Sequence, residues 1–153
     1  MHNVIIADTS VLIALTNINE LEILQKVYKT IAITPEVLNE FGETIPKWIK
    51  VEEVKDRKKI DILKLELDKG EASSLALAIE KNNCLLIIDE RKGRKIAKRI
   101  GLNIIGLLGV LIKAKEQNIF SEIKPILEKL EKVDFRISQE LKSRILKRIA
   151  ENE

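Results

Sequence analysis

The residues best placed to do chemistry in this chain of 153 residues are two aspartates, Asp8 and Asp89. Each follows a short aliphatic run, Val4-Ile5-Ile6-Ala7 in one case and Leu85-Leu86-Ile87-Ile88 in the other. Runs of this kind, without alternation, read as strands buried on both faces, as in parallel sheets. If both strands are parallel and central, each aspartate lies just past a carboxyl end. That is the edge on which open α/β folds place their sites. The competing reading makes each aspartate a helix N-cap, a role Asp fills well. Other ligand chemistry is excluded by composition. Cys84 is the single cysteine, so there is neither an internal disulfide nor a Cys-rich zinc site, and His2 alone cannot supply histidine ligation.

Two further acids reach the same edge by topology. The helix beginning at Glu71 leads into the 85–88 strand, and a crossover helix runs roughly antiparallel to its strands, so its start belongs beside Asp8 and Asp89. A glutamate in a first helical turn is also explained by charge–dipole attraction, worth roughly 0.3–1 kcal/mol. It is the coincidence with two aspartates that draws Glu71 into the site. Thr34-Pro35 opens another helix at the carboxyl end of the second strand, with Glu36 and Glu40 four residues apart on one face. The helix dipole accounts for Glu36, and an exposed Glu40 needs no special role. These residues alone do not choose between the two.

The elements that must position these acids alternate between strand and helix. Residues 3–7 form the first strand, and Thr9 or Ser10 caps a short helix through Leu15. Asn19 caps a second helix reaching Tyr28, and Ile31–Ile33 is a short strand. Proline at the first helical position sets the 35–41 helix, which Gly42 ends. Trp48–Val54 alternates apolar and polar residues like an edge strand. An amphipathic helix over 56–69 is expected to stop at Gly70, and another runs from Glu71 to Glu80 before the 85–88 strand. A basic helix ending at Gly101, a strand over 103–105 and a helix over 106–117 follow. Two amphipathic helices, 122–132 and 138–149, joined through Asp134–Ile137, complete the chain. The alternation implies a three-layer α/β fold with a mostly parallel sheet.

Composition bounds the function. The chain is 45% hydrophobic and 33% charged, as expected of a globular domain, with a mild net charge of +3. Only 3% is aromatic, so no base-stacking platform is evident. Without a signal peptide or an apolar run of about 18 residues, the expectation is a cytoplasmic protein with no membrane partner. Positive charge gathers at Arg91-Lys92-Gly93-Arg94-Lys95, directly after Asp89 and Glu90. Cations at a helix start oppose the dipole, which is more readily understood if they serve an anionic ligand. Lys98 and Arg99 read as a solvated face.

Val4-Ile5-Ile6-Ala7-Asp8-Thr9-Ser10-Val11-Leu12-Ile13 resembles the opening motif of PIN domains, the ribonuclease fold that includes VapC-type toxins. Pro35-Glu36-Val37-Leu38-Asn39-Glu40 resembles the second motif, in which the glutamate five residues after proline is the functional acid, so the resemblance prefers Glu40. Gly70-Glu71-Ala72-Ser73-Ser74 matches the third, with glutamate where most members carry aspartate, and Ile87-Ile88-Asp89-Glu90-Arg91 the fourth. Gly-Glu-Ala at 70–72, Asp-Glu-Arg-Lys-Gly-Arg at 89–94, Gly-Leu-Leu-Gly-Val-Leu at 106–111 and Phe-Arg-Ile-Ser at 135–138 are similar to a prokaryotic subgroup described as predicted nucleic-acid-binding proteins.

The resemblance implies a three-layer α/β/α PIN-like nuclease domain over residues 1–120, with a helical extension over 121–153 packed on the same domain. It implies a metal-dependent ribonuclease, the toxin of a toxin–antitoxin pair being one such role. Asp8, Glu40, Glu71 and Asp89 would be the catalytic and metal-ligating acids. Converging carboxylates need a counter-charge, and oxygen-only ligation suits Mg²⁺ or Mn²⁺. Such ions polarise a phosphate and activate water. Ser10, or Thr9, would orient a carboxylate or water, unless it simply caps the helix, and Arg91 and Arg94 would hold the RNA backbone.

Other classes fit less well. A haloacid-dehalogenase-type phosphatase needs a second aspartate two residues after the first, where Ser10 stands, and a receiver domain needs an acidic pair where Ala7-Asp8 supplies one acid. A catalytically silent RNA-binding or protein-interaction module on the same fold is the alternative. The apolar stripes Ile123, Ile126, Leu127, Leu130 and Leu141, Ile145, Leu146, Ile149 either pack on the domain's own core, form a homodimer or receive an antitoxin helix.

Overall fold

The computed structural model describes residues 2–133, 135 and 137–149. Five strands form one all-parallel sheet: β1 (Val4–Ala7), β2 (Ile31–Ile33), β3 (Ile49–Val51), β4 (Cys84–Ile87) and β5 (Asn103–Ile105), in the order β3-β2-β1-β4-β5. The nine helices among the described residues are α1 (Thr9–Asn17), α2 (Glu22–Tyr28), α3 (Pro35–Phe41), α4 (Arg57–Leu63), α5 (Lys69–Glu80), α6 (Arg91–Ile100), α7 (Leu107–Glu116), α8 (Lys124–Lys132) and α9 (Gln139–Arg148). This is a three-layer α/β/α fold, as the alternation of elements predicts.

The apolar runs are buried on both faces because helices cover both. Ile5, Ala7, Leu85 and Ile87 point into a core with α1, α2, α3 and α7. Ile6, Leu86 and Ile88 point the opposite way, into a second core with α4, α5 and α6. Successive strand side chains alternate between faces, so a four-residue strand serves both cores only if all four are apolar. Central β1 and β4 pair directly, Val4 with Cys84 through Ala7 with Ile87. Asp8 N–H then donates to the Ile87 carbonyl at 3.0 Å. Asp8 and Asp89 therefore leave the sheet at adjacent strands on one edge.

Several boundaries differ from expectation. The cap position of α1 is Asp8 itself, not Thr9 or Ser10, and its side chain makes no capping hydrogen bond. Asn19 does not cap α2; it sits in a left-handed turn with φ of 61°, and Leu21 precedes the helix. The strand expected over 48–54 is only Ile49–Val51, at the sheet edge. α4 ends at Leu63, and Gly70 does not stop a helix but lies inside the first turn of α5. Asp68 fixes that start through a capping box. Glu71 N–H donates to Asp68 Oδ1 at 2.8 Å, and Asp68 N–H donates to Glu71 Oε1 at 3.2 Å. Two satisfied helix donors outweigh the cost of one helical glycine, about 1 kcal/mol.

In the C-terminal segments, Ile123, Ile126, Leu127, Leu130, Ile145 and Leu146 are buried in the same core as α1 and α7. Packing on this chain thus occupies most of both stripes and leaves only the half-buried Leu141 and Ile149 partly open to a partner. Of the connector expected over 134–137, Asp134 and Arg136 lie outside the described residues.

Candidate active site

Four elements deliver acids to the carboxyl edge: the β1–α1 junction brings Asp8, α3 brings Glu40, the start of α5 brings Asp68 and Glu71, and the β4–α6 junction brings Asp89 and Glu90. Asp8 is only 3% exposed, and its Oδ1 is buried without a hydrogen-bond partner. Thr9 Oγ1 donates to Glu40 Oε1 at 2.7 Å, and Gly70 N–H donates to Glu40 Oε2 at 3.3 Å. A Cβ at residue 70 would collide with the Glu40 carboxylate, so glycine is what leaves room for that carboxylate against the start of α5. Asp89 Oδ1 accepts from Leu107 N–H at 2.9 Å, which ties the end of β4 to the start of α7, while its Oδ2 is buried and unpartnered.

At Asp8 and Glu71 the electrostatics are those of buried acids beside other acids. Burial pushes the Asp8 carboxyl up to about 7; the Thr9 N–H opposes this, and the negative charges of Asp68, Glu40 and Glu90 reinforce it. Burial likewise pushes Glu71 up to about 8, with Asp68 and Glu90 adding repulsion and the Asp68 N–H opposing it. Burial also tends to raise Glu90. Hydrogen bonds from the Gly93 and Lys92 N–H groups and from Glu71, with the Lys92 charge, bring it below the usual range instead. Glu71 is thus pushed toward its neutral form and Glu90 toward its charged one. Asp89 is raised by burial, against the Leu107 N–H and the Arg94 charge.

Glu36 has a different role. It is buried, and its Oε2 accepts from Arg57 Nη2 at 2.6 Å, an ion pair that clamps α3 to the start of α4. Ser10 is exposed and makes no side-chain hydrogen bond among the described residues, whereas its neighbour Thr9 holds Glu40. Arg94 Nη1 donates to the Ile88 carbonyl at 2.8 Å and so braces the β4–α6 junction. Arg91 is exposed. Arg91, Arg94, Lys95 and Lys98 line one hollow of about 440 Å³ beside Asp89. Lys98 thus shares the face of Arg91 while remaining exposed, as expected of a solvated face. Helical spacing of 91, 94, 95 and 98 could have shown this had the start of α6 been fixed.

Reasoning from sequence also missed Asp68 and Glu90, the two caps whose charges press on Asp8. Among the described residues, no three Asp, Glu, His or Cys side chains are arranged around one point so as to hold a metal ion. Several carboxylate oxygens are turned to backbone N–H groups instead, those of Glu40, Glu71, Asp89 and Glu90. A divalent ion nevertheless fits the donor set. Asp8 and Asp89 each keep a buried, unpartnered oxygen, and uncompensated carboxylates at one edge invite a hard, oxygen-seeking cation.

The sequence matches the family described as "PIN domain" over residues 4–151, across the sheet, both helical layers and the C-terminal segments. The chain belongs to the PIN-domain family, whose members are generally nucleases acting on nucleic acid. No curated protein and no solved structure matches it closely enough to add a relative. No helix among the described residues is long and apolar enough to cross a membrane.

Proposed function

We propose that this chain is a metal-dependent endoribonuclease using Mg²⁺ or Mn²⁺. The observation that carries the reading is the pair of buried, unpartnered oxygens, Asp8 Oδ1 and Asp89 Oδ2, at the ends of adjacent central strands. Asp8 and Asp89 would hold the ion, with Glu40 and Glu71 completing the set directly or through waters. When bound, the ion would polarise the scissile phosphate and make an attacking water more acidic. The chain's own residues do the rest. Thr9 and the Gly70 N–H orient Glu40, the Leu107 N–H fixes Asp89, and Arg94 braces the backbone that carries it. Burial holds Glu71 toward its neutral form, which limits the repulsion among the acids, and a bound cation would favour its charged form. Arg91, Lys95 and Lys98 supply the positive track for phosphates.

A catalytically silent RNA-binding module is the second reading. The lack of any three acids around one point among the described residues favours it. One experiment separates the two. Purified protein should cut single-stranded RNA internally with Mn²⁺ or Mg²⁺, EDTA should stop it, and Asp8→Asn should abolish it. Cleavage that survives Asp8→Asn, or RNA binding without cleavage in either metal, refutes the nuclease assignment.

A further inference from the structure

A second hollow, of about 790 Å³, opens on the other side of Asp89, Arg91 and Arg94. It differs in kind from the lysine-lined one. Its walls are Ile104, Leu108, Phe135 and Leu141, all half-buried, with Gly106 and Gly109 contributing backbone. Among the described residues, the charged side chains of this second hollow are those it shares with the first, Asp89, Arg91 and Arg94. An anionic ligand with no apolar part would use only the first hollow, and an apolar one only the second. A nucleotide strand has both parts in fixed alternation, a charged phosphate and a flat base with an apolar face.

We propose that this apolar hollow receives one unpaired nucleobase of a single-stranded RNA, with Phe135 as its stacking face and Arg91 on the adjoining phosphate. The proposal rests on the ribonuclease reading of the acidic edge and adds the form of RNA required. Bases inside a duplex are stacked on their neighbours and cannot enter, so the hollow selects unpaired segments. Among the described residues of the lining, Asp89 and the two arginines are the side chains able to hydrogen-bond, and Arg94 is engaged with Ile88. The base edge is then read weakly, and preference among the four bases is modest. The low aromatic content does not exclude stacking: one ring at the rim suffices for one base.

The test measures binding of a short single-stranded RNA and of a blunt RNA duplex to full-length Asp8→Asn protein in Mg²⁺, across a range of salt. Phe135→Ala should weaken single-strand binding roughly 5- to 150-fold, the range of one lost base stack. Its salt dependence should not change, because no phosphate contact is lost. Phe135→Leu, which keeps apolar bulk for folding but removes the ring, should weaken it similarly, and Phe135→Trp should retain it. Arg91→Ala should instead flatten the salt dependence by about 0.7 in slope. Duplex binding should ignore Phe135. Single-strand affinity unmoved by both Phe135→Ala and Phe135→Leu overturns this proposal alone. Equal losses on single strand and duplex also overturn it alone. Failure of both the unsubstituted protein and Asp8→Asn to bind any RNA overturns both readings.

Discussion

Glu36 and Asp8 are both buried carboxylates near the same end of the sheet, 7% and 3% exposed, yet their surroundings oppose each other. Glu36 faces Arg57 at 2.6 Å and its charge is matched within the chain. Asp8 faces Asp68, Glu40 and Glu90, and no cation of the described residues pairs with it. A buried charge without a partner is costly and drives its group toward neutrality. One region is therefore balanced in charge as folded, a strap between two helices, although Glu36 Oε1 is also buried without a hydrogen-bond partner. The other reaches charge balance only by taking protons or a cation. That difference, rather than the number of acids, marks the functional edge.

The largest effect expected from breaking the contrast is on catalysis. Asp8→Asn should lower metal-dependent RNA cleavage by at least about 10³-fold, or ~4 kcal/mol of barrier, while Glu36→Gln should keep turnover within a few-fold, both measured on a single-stranded substrate. Gly70→Ala comes next. The added methyl meets the Glu40 carboxylate and should displace it, and a shift near 1 Å at a positioned group costs about 10²-fold. Alanine suits a helix better than glycine, so the melting temperature should hold or rise; a fall in both would mean that the variant damages the fold instead.

Stability against pH separates the regions further. Asp8 and Glu71 have folded values of about 7 and about 8, above their ordinary carboxylate values of 3.8 and 4.5. Folding therefore favours their protonated forms. The stability they contribute is fully present below about pH 4 and is lost as pH rises through 7 and 8. Metal-free protein should lose on the order of 2 kcal/mol between pH 6 and pH 8 in denaturant titrations. Asp8→Asn should flatten that slope, and Glu36→Gln should not. The smallest effect is at the strap. Arg57 is 56% exposed, so Arg57→Ala should cost only about 1–2 kcal/mol after solvent screening.

Much of the layout is legible in the sequence because it depends on local rules. Unbroken aliphatic runs can be satisfied only between two helical layers, and adjacent parallel strands in register bring Asp8 and Asp89 to one edge. What was not legible depends on how distant segments meet. Gly70 looks like a helix stop until the Asp68–Glu71 capping box and the approach of Glu40 are seen together. That Lys98 lies on the face of Arg91 is not apparent until Glu90, accepting from Gly93 N–H at 2.6 Å, fixes the start of α6. Phe135 lies 46 positions beyond Asp89 in the numbering, and no local pattern announces that it returns to the same rim.

The central claim is that the acidic edge is a charge-deficient pocket for a divalent cation, and calorimetric titration of Mn²⁺ into the metal-free protein at pH 7 tests it most directly. Run in two buffers of different ionisation enthalpy, it counts protons released as well as ions bound. The account predicts saturable binding of one or two ions, with proton release because Asp8 and Glu71 are partly protonated at that pH, and loss of both signals in an Asp8→Asn, Asp89→Asn double variant. Absence of saturable binding, or binding that the double variant retains unchanged, would contradict it.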